Sequence, residues 1–157
     1  MLFAHTVTFI GHRYIYDFNS VEGKLAKIID KIISDNTFVR FLIGNDGDFD
    51  ILATSIIKQI KKKRGAECCE LCLVLPYEKR DFQNNQKEYE DYYDAIELSY
   101  EASKAHFKKA ILTRNFEMVD RSDLLICYVT NNSGGAYKTM RYALNNCKKV
   151  LNIDDIT

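Results

Sequence analysis

The stretch "LLICYVTNNSGGAYKTMRYALNNCKKVLNI", residues 124–153, decides the fold class of this chain. Its first six residues are almost wholly apolar and predict a buried strand, and residues 148–153 predict a second strand. Two adjacent glycines, Gly134 and Gly135, stand between them and open a segment with helical periodicity. A strand, a helix and a second strand in this order indicate a parallel βαβ unit.

The rest of the chain repeats this alternation. Further strands are predicted at residues 6–11, 39–44 and 69–76, which brings the total to five. Apolar residues at helical spacing follow the first two of them, beginning at Val21 and at Phe49. The strands are apolar nearly throughout, as expected when helices cover both faces of a sheet. We therefore predict a three-layer α/β/α sandwich with a mainly parallel five-stranded sheet, in a single domain over residues 1–157.

Composition limits the classes of partner. The chain has 157 residues, and its 22 Lys and Arg residues balance 22 Asp and Glu residues, so the formal net charge is zero. This balance gives no reason to expect nucleic acid or a membrane as a partner. No apolar run reaches the roughly 18 residues of a membrane span. Five cysteines, mostly in apolar runs, favour reduced and buried thiols in a cytoplasmic protein.

Glycines gather where the predicted strands end. Gly11 and Gly44 close two strands, and the Gly134–Gly135 pair follows a third. Such glycines can simply turn the chain, or they can let backbone N–H groups approach a phosphate at the start of a helix. In open parallel sheets, ligands bind outside the carboxyl ends of the strands, so glycines at this edge together favour a ligand site.

Polar residues follow the first two strands at the same edge. In "GHR", residues 11–13, Arg13 can hold a phosphate and His12 can donate to it, although an exposed loop would look the same. In "GNDGDFD", residues 44–50, three aspartates resemble the start of a calcium loop. That loop also needs a glycine and a glutamate where Ile51 and Ile57 stand, so the calcium interpretation fails. Asp48 is predicted to cap a helix, with Mg²⁺ or a ribose hydroxyl as the lesser alternative.

Two other features have a structural interpretation and a functional one. Cys69 and Cys72 form a C-x-x-C pair, but their spacing within a strand puts them on opposite faces, so neither a redox pair nor a metal site is expected. The polar, tyrosine-rich segment of residues 77–99 is either a loop with a surface helix or a lid or partner surface.

Residues 113–153, with Arg-Asn, Met-Val-Asp, a Ser-Asp before an apolar strand and a Gly-Gly-Ala turn, resemble the YpsA-like branch of the SLOG superfamily. These Rossmann-like proteins are related to the Lonely Guy phosphoribohydrolases and to the DprA proteins. "TVTFIGHR" and "GNDGDFDILA" are similar to the family's front strand and turn. The resemblance implies a Rossmann-like fold, a pocket for a nucleotide or nucleotide-derived ligand, and a homodimer.

The resemblance also implies roles for individual residues. Gly134, Gly135 and Ala136 would form the phosphate-binding turn, and Arg114 would place a guanidinium beside the phosphate or the ribose-linked group. The residues that match the front loops are Gly11, Gly44, Gly47 and Asp50.

One departure bears on activity. Lonely Guy enzymes have a catalytic glutamate where this chain has Lys138. This favours a sensor or binding module over the alternative, a hydrolase of nucleotides or nucleotide sugars that uses Asp46, Asp48 or Asp50. No cofactor is expected with certainty, and Mg²⁺ is not favoured.

Overall fold

The computed structural model describes residues 5–157. Six strands are present in this range: β1 (His5–Gly11), β2 (Val39–Ile43), β3 (Cys69–Leu75), β4 (Ala95–Leu98), β5 (Leu124–Tyr128) and β6 (Lys149–Asn152). The helices are α1 (Phe18–Asp35), α2 (Asp48–Arg64), α3 (Arg80–Asn84), α4 (Gln86–Tyr92), α5 (Tyr100–Ser103), α6 (Ala110–Asp120) and α7 (Gly134–Asn145). Single 3₁₀ turns lie at Phe107–Lys109 and Ile153–Asp155.

All strand pairs are parallel, and the strand order is β4-β3-β2-β1-β5-β6. The chain builds outward from β1 to β4 and then crosses to the other side of β1 to place β5 and β6. The order therefore reverses between β1 and β5, where an open α/β sheet forms a crevice at its carboxyl edge. The predicted α/β fold with a parallel sheet is confirmed.

The predicted number of five strands is wrong, because the sheet has six. The missing strand, β4, lies inside the tyrosine-rich segment and pairs with β3 from Cys72 to Leu75. It has four residues, "AIEL", which are only partly buried because β4 lies at the sheet edge. β4 stands in a polar segment and lacks the apolar run that predicted the other five strands, including the equally short edge strand β6.

Two apolar cores lie on opposite faces of the sheet. On one face, α1 and α2 pack on the sheet around Phe9, Phe41 and Phe49. On the other face, α6 and α7 pack around Leu42 and Met118. These two clusters account for the nearly continuous apolar strands, because each strand in the centre of the sheet is covered on both sides.

The C-x-x-C pair follows the same division. Cys69 belongs to the first core and Cys72 to the second, so the prediction that they lie on opposite faces is confirmed. Burial raises the pKa of both thiols to about 12, which leaves them as thiols at neutral pH.

Within residues 5–157, no helix has both the length and the apolar character needed to cross a membrane.

The glycine that ends β1 generates a stability prediction. A Cβ at Gly11 would lie 2.4 Å from Cβ and Cγ of the buried Phe49, whereas one at Gly23, inside α1, would meet nothing within 4 Å. We expect Gly11→Ala to lower the free energy of unfolding by about 1–3 kcal/mol through overpacking. Gly23→Ala should raise it by about 0.5–1 kcal/mol, because alanine favours the helix.

Urea unfolding of both variants beside the wild-type protein measures the two effects. Equal stability of the Gly11→Ala variant and the wild-type protein would contradict the packing described at the end of β1.

Candidate ligand-binding site

A cavity of ≈290 Å³ opens at the carboxyl edge of the sheet, where the strand order reverses. Residues 10–13 at the end of β1 form one wall, and residues 134–136 at the start of α7 form another. The α2 end of the cavity contributes Asp46 and Asp50. The α6 wall contributes Ile111, Asn115 and Met118. This is the position at which parallel α/β sheets bind ligands.

The glycine pair forms the start of α7 and leaves open space in front of it. Gly134 has a φ of +91°, a left-handed conformation in which a side chain is strained. At Gly135 a Cβ would meet nothing within 4 Å. Ser133 makes no side-chain capping hydrogen bond, and the first turn of the helix contains no acidic residue. The first N–H groups of a helix have no partner within it, so they remain available to an anion.

His12 lies in the β1 wall and is fixed by the backbone that follows β5. Its backbone N–H donates to Tyr128 O at 3.2 Å, and its Nε2 accepts from the Thr130 N–H at 2.9 Å. Burial lowers the pKa of His12, with an opposing contribution from Asp154. A neutral imidazole that accepts at Nε2 bears its proton on Nδ1, so His12 can donate one hydrogen bond from that atom.

Arg13 is held by its backbone, and its side chain is left free. Asp48 N donates to Arg13 O at 2.8 Å, and Ile15 N donates to the Asp48 carboxylate at 3.3 Å. Gly47 lets these loops meet, because a Cβ there would lie 2.7 Å from Arg13 Cα. The Arg13 side chain is exposed and has no ion-pair partner in the described part of the chain.

The prediction that Asp48 caps α2 is wrong. The N-cap of α2 is Gly47, and Asp48 is the first residue of the helix. The Asp48 carboxylate accepts from the loop after β1 instead of capping its own helix, because that loop brings the Ile15 N–H within reach.

Arg114 is buried, with 1% of its surface exposed, and its guanidinium faces protein groups. Nε donates to Asn115 Oδ1 at 2.9 Å, and one terminal nitrogen donates to Val74 O at 2.8 Å. The other terminal nitrogen donates to the carboxylate of Asp46 in an ion pair. A Cβ at Gly44 would lie 3.1 Å from three guanidinium atoms, so this glycine makes room for Arg114. Arg114 thus positions residues of the cavity wall, and direct contact with a ligand stays a prediction.

The two carboxylates of the cavity have different protonation behaviour. Burial opposes the charge of Asp46, but Arg114 and Lys79 outweigh it and hold the pKa of Asp46 below its usual range. Burial raises the pKa of Asp50 to about 6, against the hydrogen bond that Asp50 accepts from Asp46 N at 3.1 Å. Asp46 is therefore neutralised by cations, whereas Asp50 is partly protonated near pH 6 and mostly ionised at neutral pH. The cations beside Asp46 are what reduces the repulsion of an anionic ligand by this wall.

Ile111 and Lys79 were not among the predicted site residues, and Asn115 and Met118 were named only within the Arg-Asn and Met-Val-Asp motifs. Ile111, Asn115 and Met118 share one helix face at a spacing of four and three residues, and this spacing was readable in the sequence. Asn115 Oδ1 accepts from Arg114, so its Nδ2 is a donor with no partner among residues 5–157. Lys79 donates to Asp46 at 2.7 Å across the sheet edge, a pairing that no sequence pattern signals.

The structure brings most of the predicted residues to one place. Seven of them line the cavity: Gly11, His12, Arg13, Asp50, Gly134, Gly135 and Ala136. The other three, Gly44, Gly47 and Arg114, are not on its wall and instead support the loops that form it. No group of three or more His, Cys, Asp or Glu side chains within residues 5–157 is placed to hold a metal ion.

Two solved structures share this fold. DNA processing protein A (DprA) from Streptococcus pneumoniae superposes with a TM-score of 0.64 at 14% identity, over 94% of this chain and 49% of that chain. DprA from Helicobacter pylori, described for its single-stranded DNA binding mode, superposes with a TM-score of 0.64 at 16% identity, over 93% of this chain and 63% of that chain. No protein-family model matches the sequence, and no curated protein does.

These matches show the fold alone: the chain shares a Rossmann-like α/β fold with two DprA proteins. Membership of the SLOG superfamily and of its YpsA-like branch stays a prediction. The chain spans about half to two thirds of the length of these DprA proteins.

The expectation that charge excludes nucleic acid is wrong. A protein of the same fold is described as binding single-stranded DNA, so a balanced total charge does not exclude such a partner. The physical reason is that single strands are bound by a few local cations and stacking surfaces, whereas the net charge averages over the whole molecule. Arg13 at the cavity is a cation without an ion-pair partner among residues 5–157.

The raised pKa of Asp50 generates a pH prediction. An acid whose folded pKa is raised to about 6 stabilises the fold at low pH, and this contribution is lost as the pH rises from about 4 through 6. Asp50→Asn keeps an acceptor for Asp46 N but does not ionise. We expect this variant to match the wild-type protein at pH 4 and to exceed its unfolding free energy by roughly 1–2 kcal/mol at pH 7.5.

Urea unfolding across this pH range measures the difference between the two proteins. Asn84→Ala, at the exposed end of α3, is the control, because it changes no ionisable group and its difference from the wild-type protein should not depend on pH. A constant difference between the Asp50→Asn variant and the wild-type protein from pH 4 to 7.5 would show that Asp50 does not titrate in this range.

Proposed function

We propose that the cavity at the ends of β1 and β5 binds the phosphate of a nucleotide, in a sensor or binding module. The observation that supports this most strongly is the open space at Gly135, where a helix begins without a capping side chain and without an acid in its first turn. Backbone N–H groups at such a position are a common site for a phosphate.

Three side chains complete the proposed site. The exposed Arg13 guanidinium supplies the positive charge, and His12 and the free amide of Asn115 supply neutral donors. Asp50, half-protonated near pH 6, is the acceptor suited to a ribose hydroxyl. In this arrangement the phosphate accepts hydrogen bonds at the start of α7, and the ribose donates a hydrogen bond to the Asp50 carboxylate at the start of α2.

Binding without turnover is favoured over hydrolysis. The acids in the cavity, Asp46 and Asp50, are both engaged with protein groups: Asp46 with Arg114 and Lys79, and Asp50 with the Asp46 N–H. Lys138 occupies the place that the resemblance gives to a catalytic glutamate. A general acid or base would therefore have to be Asp46 or Asp50, and both already form hydrogen bonds that stabilise the cavity wall.

The nucleotide has two possible sources with the same chemistry. It is either a free nucleotide or one unit of a single-stranded nucleic acid, as in the DprA protein described above. Comparing AMP with a short single-stranded oligonucleotide separates the two, because only the oligonucleotide should show affinity that falls steeply with salt. A homodimer and a cytoplasmic location are further parts of this proposal, and sedimentation velocity tests the first.

The proposal predicts the behaviour of two variants in calorimetric titrations with AMP. Arg13→Ala should weaken binding about tenfold or more, because it removes a charge-assisted hydrogen bond. Gly135→Ala should also weaken it, since its methyl group occupies the space in front of the helix, while the melting temperature stays the same or rises.

Lys149→Ala, on the exposed side of β6, is the control and should bind like the wild-type protein. Arg114→Ala is a poor test, because it removes the buried partner of Asp46 and is expected to lower stability as well as affinity. Unchanged affinity for AMP and for the oligonucleotide in both test variants would refute the phosphate site.

A further inference from the structure

A second cavity, of ≈260 Å³, lies beside the first and is lined by Asn45, Glu88, Tyr89, Tyr92 and Tyr93. We refer to it as the tyrosine cavity. Its wall residue Asn45 precedes Asp46, which lines the first cavity. The charge of Asp50 also contributes to the raised pKa of Tyr93, after burial and the two neighbouring tyrosines. The two cavities are therefore neighbours across the loop between β2 and α2.

The aromatic walls of the tyrosine cavity are held in place from outside. Tyr89 and Tyr93 lie with ring centroids 6.1 Å apart and planes 26° apart, and Tyr92 meets Tyr93 edge-on at 5.0 Å. Lys58 fixes Tyr92 by donating to its carbonyl at 2.7 Å and by placing Nζ 4.1 Å from its ring centroid. The Tyr89 hydroxyl is bound to Asp81. The three rings are thus held in fixed positions, and because Tyr93 is nearly buried, the surface left for a flat partner belongs chiefly to Tyr89 and Tyr92.

Two polar atoms in this wall have no partner within residues 5–157. Asn45 Nδ2 donates weakly to the Tyr89 hydroxyl at 3.4 Å, which leaves Asn45 Oδ1 free to accept. Tyr93 is 9% exposed, and its hydroxyl makes no hydrogen bond in the described range. That hydroxyl is also absent from the fully enclosed unpaired atoms, so it reaches accessible space. Both atoms are therefore accessible and can form a hydrogen bond with a ligand.

We propose that the tyrosine cavity binds a nucleobase or a similar planar ring that has both donor and acceptor groups on its edge. The tyrosine faces provide stacking, Asn45 Oδ1 accepts from an exocyclic amino group, and the Tyr93 hydroxyl donates to a ring nitrogen or carbonyl. Glu88 repels anions, so the phosphate of a nucleotide does not bind in this cavity.

The proposal does not depend on the phosphate site described above. A nucleoside, which has no phosphate, should bind in the tyrosine cavity whether or not the start of α7 binds an anion. It also gives a role to the tyrosine-rich segment, residues 77–99, which the first cavity leaves unused.

Calorimetric titration with adenosine and with cytidine, two nucleosides that have an exocyclic amino group, tests this proposal. The wild-type protein should bind at least one of them saturably. Tyr92→Ala should weaken binding about tenfold, because one stacking surface is lost. Tyr93→Phe keeps the ring, removes only the hydroxyl and should cause a smaller loss.

Tyr100→Ala changes an exposed tyrosine outside the cavity and should leave nucleoside binding unchanged. Arg13→Ala should bind adenosine like the wild-type protein even if it loses AMP, which separates this proposal from the phosphate site. Failure of the wild-type protein to bind either nucleoside at millimolar concentration would overturn the proposal. Wild-type affinity in both Tyr92→Ala and Tyr93→Phe would also overturn it.

Discussion

The buried guanidinium of Arg114 joins the parts of the structure on which the candidate site depends. It reaches from α6 to the carbonyl of Val74 near the end of β3 and to Asp46 in the loop after β2. Asp46 in turn accepts from Lys79 and donates its N–H to Asp50. A buried arginine is tolerated only when its charge and its donors are satisfied. The hydrogen bond to Val74 and the ion pair with Asp46, which satisfy Arg114, therefore fix one wall of the cavity.

The glycines at the carboxyl edge of the sheet have two different physical roles. At Gly11, Gly44 and Gly47 a Cβ would approach Phe49, Arg114 and Arg13 respectively within 3.1 Å, so these glycines serve close packing inside the protein. At Gly134 and Gly135 a Cβ would meet no protein atom within 4 Å. Protein packing explains the first group, and the left-handed φ of +91° explains Gly134. Neither explains Gly135, which is why the start of α7 is the proposed ligand contact.

The sequence predicted the fold well because its central strands are buried on both faces and so are apolar throughout. It missed β4, since an edge strand of four residues in a polar segment has no such pattern. It also placed seven candidate residues on one cavity, because the carboxyl ends of parallel strands share an edge. It did not predict that Arg114 faces Asp46, because an ion pair 68 residues apart in the chain depends on tertiary packing. Net charge was a poor guide to possible partners, because it does not show where the charged side chains lie in the folded protein.

The most direct test of the account is a crystal structure of the protein with AMP bound. The account predicts the phosphate within hydrogen-bond distance of the backbone N–H groups of Gly135 and Ala136, with the Arg13 guanidinium turned toward it. A well-ordered AMP molecule whose phosphate lies away from the start of α7, with the cavity between β1 and β5 filled only by water, would contradict it.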